Sequence, residues 1–312
     1  MSLSICLAVY NEEGNIGDCL KSVKGLADEI VVVDGGSIDQ TIELAKKFGA
    51  KVILTDNPPM FHINKQKALD AATGDWILQL DADERVTPEL AEEIKKVISM
   101  NKKELEEYEE NLPEKELFLK HQNLIDNRQN GGLSRFPSRQ GSSPQIKPRR
   151  LHAAGIPANS TPILPYSVFY LARKNFFLGK FLRYGGVYPD GVIRLVKKGK
   201  ARFPCRDVHE LMEVDGLVGW LKNPLLHYDS PTFKRYLQRN NRYIDLMVSE
   251  FRNKKLKKNF MNFMKFVLYK PLGWFFSTTI IHKGILDGWQ GIVFSFFSAL
   301  RFPRAYVRLL KK

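Results

Sequence analysis

Two aspartates one residue apart, Asp81 and Asp83, follow an apolar run of the sequence and stand directly before Glu84. The run, Trp76 to Leu80, is typical of a buried strand, and the chain can turn where a strand ends, so that both carboxylates reach one place. Carboxylate oxygens are ligands that Mg²⁺ and Mn²⁺ prefer. The pair indicates a divalent-cation site that also holds phosphate oxygens, although an isolated Asp-x-Asp is equally compatible with a polar strand end before a helix.

Strands and helices alternate through the first part of the chain. Apolar, β-branched runs predict strands at Leu3 to Val9, Ile30 to Val33, Val52 to Leu54 and Asp75 to Leu80. Apolar residues at helical spacing lie between these runs. Such alternation predicts a parallel, doubly wound α/β sheet, which binds ligands beyond the carboxyl ends of its strands.

Polar residues cluster at the predicted strand ends, in Tyr10 to Glu12, Asp34 to Thr41 and Asp81 to Glu84. Because the carboxyl ends of parallel strands share one edge, we expect the three clusters to form one site. Gly35 and Gly36 permit close approach of the backbone to a ligand. The sequence lacks a Gly-x-Gly-x-x-Gly loop here, which disfavours nicotinamide dinucleotides.

Three motifs carry a family resemblance: Ala8 to Glu13 (AVYNEE), Val33 to Thr41 (VDGGSIDQT) and Leu80 to Glu84 (LDADE). In order and spacing they resemble the signatures of family 2 glycosyltransferases with a GT-A fold. Further motifs resemble the subgroup that contains lipopolysaccharide inner-core β-1,4-glucosyltransferases: Arg173 to Lys180, Gly185 to Asp190, Arg194-Leu195, Val208 to Glu210 and Leu225 to Tyr228. The resemblance covers residues 1–100 and 166–245.

The resemblance implies a nucleotide-sugar donor, UDP-linked and with glucose as one candidate sugar, together with Mg²⁺ or Mn²⁺. The implied donor contacts are Tyr10, Asn11, Glu12, Asp34, Gly35, Ser37, Asp39, Lys65, Lys67, Asp81 and Asp83. The implied metal ligands are Asp83 and Asp81, with His209 as a further contact. The expected acceptor, which rests on the basic and apolar C-terminal residues, is a lipid-linked or cell-surface glycan.

Loss of a nucleoside diphosphate builds negative charge on the leaving oxygens, which a carboxylate-held cation can neutralise. An inverting single displacement also needs a base for the acceptor hydroxyl proton. The catalytic candidates are Glu210, Asp190 and Asp207, of which Glu210 is favoured. A double displacement would need a dedicated nucleophile, and the sequence offers no clear one.

Composition changes divide the chain into four predicted segments: a nucleotide-sugar-binding half (1–100), a charged helix with a flexible insertion (101–165), an acceptor half (166–250) and a basic tail (251–312). The charged helix, Lys103 to Glu110, is expected to face solvent. The insertion after it is rich in Gly, Ser and Pro and departs from the family pattern, so the acceptor stays open.

The tail holds almost all of the excess positive charge. Arg252 to Lys312 contains thirteen Lys or Arg and one acid, Asp287, which gives +12 of the total +14. Its long apolar runs are interrupted by charges, which predicts C-terminal amphipathic helices on an anionic membrane surface, with core packing as the alternative. No nucleic-acid-binding motif accompanies the charge, so nucleic acid is not expected.

The expected location is cytoplasmic, peripheral to the inner face of the cell membrane. Three cysteines without ligand spacing are typical of buried thiols in a reducing compartment, and the chain enters its first strand without a leader pattern. Two other functions share part of these features: a nucleotidyltransferase and a non-catalytic basic membrane-surface protein. The acidic loop Tyr10 to Glu13 disfavours the first, and the intact trio Asp34, Asp81 and Asp83 disfavours the second.

Overall fold

The computed structural model describes residues 1–129, 166–206 and 211–311. The described residues form two compact units, the first drawn from Met1–Ala172 and Gly191–Leu225, the second from Arg173–Asp190 and Leu226–Lys312. The predicted segments 1–100, 101–165, 166–250 and 251–312 stay a prediction, since much of the insertion lies outside the described ranges.

Four parallel strands form one half of the sheet in the first unit. They are β1 (Leu3–Val9), β2 (Glu29–Asp34), β3 (Lys51–Leu54) and β4 (Trp76–Leu80), in the spatial order β3-β2-β1-β4. The crossovers are α1 (Glu13–Ser22), α2 (Thr41–Lys47) and α3 (His62–Ala71). β1 and β4 are almost fully buried, as expected for strands that helices cover on both faces. The predicted strand-helix alternation is confirmed.

The other half of the sheet contains antiparallel pairing. Its strands are β5 (Glu84–Arg85), β6 (Tyr166–Phe177), β7 (Lys180–Leu182), β8 (Asp190–Lys197) and β11 (Leu217–Ser230). β9 (Ala201–Arg202) and β10 (Glu213–Val214) pair with each other in a separate two-stranded sheet. β8 runs antiparallel to β4, with Leu195 opposite Leu78, and β6, β11 and β5 follow it in the sheet. The α/β, GT-A-like fold is confirmed, with a sheet that is mixed beyond β4.

Two acidic side chains attach helices of the first unit to β11. The helices of this region are α4 (Pro88–Ser99), α5 (Lys102–Glu110) and α6 (Lys115–Gln129). Glu93 of α4 accepts hydrogen bonds from the backbone N–H groups of Lys222 and Asn223, both at 2.9 Å. Glu109 of α5 accepts one from Trp220 N at 2.7 Å. The expectation that the charged helix simply faces solvent was therefore wrong at Glu109.

The second unit is mainly helical after β11. Its helices are α7 (Phe233–Asn253), α8 (Phe260–Met264), α9 (Lys270–Phe276), α10 (Trp289–Ala299) and α11 (Arg301–Leu310). π-helical turns at Lys265–Tyr269 and Ser277–Ile281 and a 3₁₀ turn at Gly284–Asp287 connect them. The prediction of C-terminal helices is confirmed.

One face of the tail does belong to a core. Ile244 and Phe251 of α7 pack with Phe266 and with Tyr306 and Leu309 of α11. The alternative prediction for the tail, packing into a protein core, is therefore correct for this face. Within the described ranges, no helix combines the length and apolarity needed to cross a bilayer.

Candidate functional site

The three polar loops lie side by side at one edge of the first unit. Val9, the last residue of β1, is in register with Asp34 at the end of β2, and Leu7 pairs with Leu80 at the end of β4. Neighbouring strands lie about 4.8 Å apart, so the loops that follow them are adjacent. The structure therefore brings together the Tyr10, Asp34 and Asp81 clusters, as the sequence predicted.

The loops after β1 and β2 are hydrogen-bonded to each other. Asn11 N donates to Ser37 Oγ at 2.8 Å, and Ile38 N donates to Asn11 Oδ1 at 2.9 Å. Glu13 N donates to Asp39 Oδ2 at 3.1 Å. Asn11 adopts a left-handed backbone conformation, with φ of 53°, which Asn tolerates better than most residues. The two loops form one connected surface, beside which the Tyr10 ring is 44% exposed.

Asp34 is fully buried and builds its own loop. Its Oδ1 accepts hydrogen bonds from Gly36 N at 2.9 Å and Ser37 N at 2.8 Å, and its Oδ2 accepts one from Ser37 Oγ at 2.6 Å. Gly36 has φ of 85°, a conformation that favours glycine. A Cβ on Gly35 would lie 3.1 Å from Asn57 Cβ, so this position is crowded as well. Asp34 thus shapes the surface that a ligand would meet.

Asp81 is held between two cationic side chains. Lys65 Nζ lies 2.5 Å from its Oδ1, and Arg194 Nη2 lies 2.5 Å from its Oδ2. Arg194 Nη2 also lies 2.7 Å from Glu84 Oε1, and its Nη1 donates to Gln79 Oε1. Glu84 Oε2 accepts a hydrogen bond from Asp81 N at 3.0 Å. The two acids and two cations balance in charge.

The electrostatics of this cluster follow from its burial. Desolvation works to lower the pKa of Arg194, but Asp81 and Glu84 outweigh it and raise that pKa above its ordinary value. Burial lowers the pKa of Lys65, and Asp81 opposes part of this shift. Both cations are therefore held in place by Asp81, and the cluster is rigid because each member has a charged or hydrogen-bonding partner.

The sequence placed Glu84 in the acidic cluster and Arg194 in a family-like motif, but it predicted no site role for Arg194 or Gln79. Arg194 interrupts an apolar strand sequence, Val-Ile-Arg-Leu-Val, and Gln79 interrupts another, Trp-Ile-Leu-Gln-Leu. A charged residue at a buried strand position requires a partner of opposite charge. The sequence therefore indicates that Arg194 has an acidic partner, but it does not indicate which acid that is.

The arrangement disagrees with Asp81 as a metal ligand. Both of its carboxylate oxygens already contact a cationic nitrogen, and a divalent ion on the same oxygens would be repelled by Lys65 and Arg194. Among the described residues, no group of three or more His, Cys, Asp and Glu side chains is arranged to hold a metal. Asp83, two residues further on, is half-buried and remains the other metal candidate of this motif.

The two lysines of α3 occupy different places. Lys65 Nζ lies beside Asp81 and above the Phe61 ring, 5.2 Å from its centroid. Lys67 instead donates to Thr55 Oγ1, just past the end of β3. Lys65 is thus placed with the acidic motif, whereas Lys67 lies next to the loop that follows β3.

Asp190 lies in a polar network of the second unit. Its Oδ2 accepts hydrogen bonds from Arg173 Nη2 at 2.7 Å and Asn175 Nδ2 at 3.1 Å, and Asn175 Oδ1 lies 2.6 Å from His227 Nδ1. Burial alone would raise the pKa of Asp190, but Arg173, Asn175 and His227 together lower it. A carboxylate with reduced proton affinity is a weak general base, so the geometry speaks against Asp190 in that role.

The other catalytic candidates, Asp207 and Glu210, and the metal candidate His209 lie outside the described residues. The chain that leads to them is fixed at Phe203, whose N–H donates to Gln66 Oε1 at 2.7 Å. The Phe203 ring also stacks on His62, with centroids 4.7 Å apart. Both partners are on α3, the helix that carries Lys65.

Comparisons with known proteins agree on the first third of the chain. Residues 4–106 match the sequence profile of Glycosyl transferase family 2. A TPR repeat-containing protein of Synechococcus elongatus is 43% identical over 93 residues, which are 30% of this chain and 23% of that protein. An uncharacterised glycosyltransferase of Rickettsia typhi is 36% identical over 98 residues, which are 31% of this chain and 33% of that protein.

A solved structure matches over a similar share. It is glucosyl-3-phosphoglycerate synthase from Mycobacterium tuberculosis, in complex with Mn²⁺, UDP and glucosyl-3-phosphoglycerate, and it is 29% identical over 27% of this chain and 34% of that one. The TM-score is 0.25, too low to support an argument. This chain therefore spans only a quarter to a third of the relatives it matches. Within those limits, residues 4–106 are similar to family 2 glycosyltransferase domains.

Proposed function

We propose that the chain is an inverting glycosyltransferase that moves a sugar from a nucleotide-sugar donor to an acceptor hydroxyl. The observation that carries this proposal is the meeting of three polar loops at neighbouring strand ends, inside the part of the chain that matches family 2. Doubly wound sheets bind their ligands at that edge.

The proposed donor is a UDP-linked sugar. Its nucleoside would lie on the connected surface of the first two loops, against Tyr10 and Asn11, with Glu12 at the start of α1. Asp34, Gly35, Ser37 and Asp39 support this surface through the hydrogen bonds of their loop. UDP-glucose is the first sugar to test, because the motifs beyond residue 166 resemble those of lipopolysaccharide glucosyltransferases.

The proposed leaving-group site combines a metal with a lysine. A divalent cation, Mg²⁺ or Mn²⁺, would be held by Asp83 with His209 and would neutralise the charge that develops on the diphosphate. Lys65 would add a second positive charge, since Asp81 holds its Nζ at this edge of the sheet. Asp81 acts here through Lys65, and Arg194 in turn fixes Asp81.

The proposed base is Glu210, with Asp207 as the alternative. Inversion requires a single displacement, in which the base takes the proton of the attacking acceptor hydroxyl. Asp190 is set aside because Arg173 and Asn175 already hold its carboxylate and lower its pKa.

The proposed acceptor is a glycan linked to a lipid, which the enzyme meets at the cytoplasmic face of the membrane. The basic tail supports this choice, because a surface with +12 of the chain's charge is attracted to anionic headgroups.

The function can be tested by thermal unfolding of the full chain with a panel of nucleotide sugars, with Mn²⁺ or with a chelator. A donor present at about 100 times its Kd adds about 2.7 kcal/mol to the free energy of unfolding. We expect one UDP-sugar to stabilise the protein with Mn²⁺ and to be hydrolysed slowly without acceptor.

Asp83→Asn should abolish the hydrolysis while the protein stays folded. Glu92→Gln is the matched control, since it removes an exposed acid on α4 that lies away from the three loops. If no nucleotide sugar stabilised the chain, or if the two variants hydrolysed donor equally well, the proposal would be wrong.

A further inference from the structure

The helix α10 buries its small residues and exposes three of its large ones, whereas Val293, Phe294 and Phe297 pack against the core of the second unit. Gly291, Ser295, Ser298 and Ala299 are buried. The exposed apolar residues of this helix are Trp289, Ile292 and Phe296, at 59%, 38% and 49%. A helix on the surface of a water-soluble domain shows the opposite order, with large apolar side chains inside.

The preceding turns repeat this inverted order. Thr278, Thr279 and Asp287 are buried. Five large apolar residues of residues 276–286 are exposed by half or more: Phe276, Ile280, Ile281, Ile285 and Leu286. Exposed apolar patches of this extent mark an interaction surface. We call residues 276–296 the apolar platform.

The small residues of the platform are needed for its own packing. A Cβ on Gly291 would lie 2.0 Å from the carbonyl oxygen of Gly284, and a Cβ on Gly284 would lie 2.6 Å from that of Thr278. Backbone segments therefore touch directly, the way small residues pack helices inside a lipid phase. The exposed large side chains are not part of this backbone contact.

Polar groups beneath the platform are bonded within the second unit. Asp287, the one acid of the tail, accepts hydrogen bonds from Arg183 N at 3.0 Å and Tyr184 N at 2.8 Å. Ser298 Oγ accepts one from Trp274 Nε1 at 2.9 Å. These contacts hold the platform to the rest of its unit, so the exposed apolar face is a feature of the folded state.

The charged residues near the platform favour a lipid membrane over a second protein copy as its binding partner. In the sequence, Lys265 and Lys270 precede the platform and Arg301 and Arg304 follow it. Lys283 within it is exposed, and the one acid of the tail is buried. A second copy of the same surface would bring these positive charges together, which is unfavourable. An anionic bilayer offers phosphate to the cations and acyl chains to the apolar side chains.

We propose that the apolar platform inserts into one leaflet of an anionic bilayer, so that its large side chains lie among the acyl chains and its flanking Lys and Arg at the headgroups. This deepens the membrane contact of the proposed function and does not depend on the transferase activity. α10 has 11 residues and is about 16 Å long, about half the thickness of a hydrocarbon core of about 30 Å.

Insertion and electrostatic adsorption differ in their response to salt. At about 1 M salt the Debye length is about 3 Å, so attraction between exposed charges is lost, whereas burial of apolar area persists. We expect the full-length protein to float with phosphatidylcholine/phosphatidylglycerol vesicles at both low and high salt. Removal of one platform side chain should weaken vesicle binding by about tenfold or more.

The test compares Leu286→Asn with Leu124→Asn, an identical change at an exposed leucine of α6 in the first unit. Flotation should fall only for Leu286→Asn. Trp289 gives a second readout, because brominated acyl chains should quench its fluorescence and Trp289→Phe should reduce that quenching. Trp76 and Trp220 are buried in the first unit, and Trp274 gives a background that is present in both proteins.

Three results would overturn the proposal. Release of the protein at high salt would show adsorption by charge alone. Equal flotation of Leu286→Asn and Leu124→Asn would show that the platform does not contact the vesicle. A dimer that Leu286→Asn dissociates, without vesicle binding, would show that the platform pairs two copies. Donor hydrolysis, measured without vesicles, reports separately on the proposed function.

Discussion

The guanidinium group of Arg194 joins Asp81 to Glu84: its Nη2 atom lies 2.5 Å from Asp81 Oδ2 and 2.7 Å from Glu84 Oε1. Arg194 and Glu84 are both buried, and Asp81 is the member of the trio that reaches the edge of the site. The position of the acidic motif therefore depends on a residue more than a hundred positions later in the chain.

Arg194→Lys should destabilise the protein although it keeps the charge. A lysine has no planar fork and cannot bond both acids and Gln79 at once. We expect a loss of about 1 to 3 kcal/mol in the free energy of unfolding, measured with urea. Arg202→Lys is the control, because Arg202 also pairs with an acid, Glu213, but is 68% exposed, and its effect should stay below about 1 kcal/mol. Equal effects would contradict the structural role of Arg194.

Asp81→Asn should mainly affect stability, whereas Asp83→Asn should mainly affect metal binding. Asp81→Asn weakens the charge pairing of Lys65 and Arg194, so it should lower the free energy of unfolding by about 1 to 3 kcal/mol. Asp83→Asn should weaken Mn²⁺ binding, which calorimetry or electron paramagnetic resonance can measure. If Mn²⁺ affinity fell only in Asp81→Asn, the metal assignment would be reversed.

Lys65→Met should lower the affinity for UDP by about tenfold or more, because it removes a buried cation beside the acidic motif. Lys67→Met is the matched change two residues further along α3, where the lysine contacts Thr55 instead. A smaller loss is expected there. Titration calorimetry with Mn²⁺ present would compare the two variants. A larger loss of UDP affinity in Lys67→Met would indicate that the diphosphate binds near the end of β3.

Glu109 should make stability depend on pH. Burial raises the pKa of its carboxyl to about 8, despite a hydrogen bond from Trp220 N that favours the charged form. A carboxyl with a raised folded-state pKa stabilises the fold when protonated, so this contribution is full below the ordinary pKa and is lost as pH rises toward 8.

Between those limits the loss is about 1.4 kcal/mol per pH unit. Glu109→Gln keeps the acceptor for Trp220 N and should flatten the corresponding fall in melting temperature between pH 5 and pH 8. The comparison is the difference between wild type and variant, since other groups titrate in both. Parallel profiles would contradict the raised pKa.

Glu210→Gln should slow sugar transfer by about 10² to 10⁴ and leave UDP affinity close to that of the wild type. Asp190→Asn should instead lower the free energy of unfolding, because it removes the negative charge that pairs with Arg173. Transfer to an acceptor, measured next to UDP binding, separates these effects. Full activity of Glu210→Gln would move the base to Asp207.

Sequence patterns located the parallel half of the fold well because its signals are local. The predicted strand Leu3 to Val9 has the observed bounds, and the strand ending at Leu80 begins one residue later than predicted, at Trp76. Apolar runs with helices between them are visible within a short window of sequence. The three polar loops could be placed for the same reason.

The antiparallel half was less predictable because its partners are distant in the chain. β6 lies between β8 and β11 in the sheet, and β11 was not foreseen as a strand. Glu109 looked solvated by composition, yet its partner is a backbone N–H group 111 residues away. Pairing over such distances is decided by tertiary packing, which a single sequence does not reveal.

The hydrogen bonds between Asn11, Ser37 and Ile38 have a consequence for evolution. Two loops that share donors and acceptors cannot drift independently, because a change at Ser37 removes an acceptor from the first loop and a contact to Asp34 in the second. Homologous sequences that replace Ser37 should therefore also replace Asn11, and an alignment would show the two positions changing as a pair.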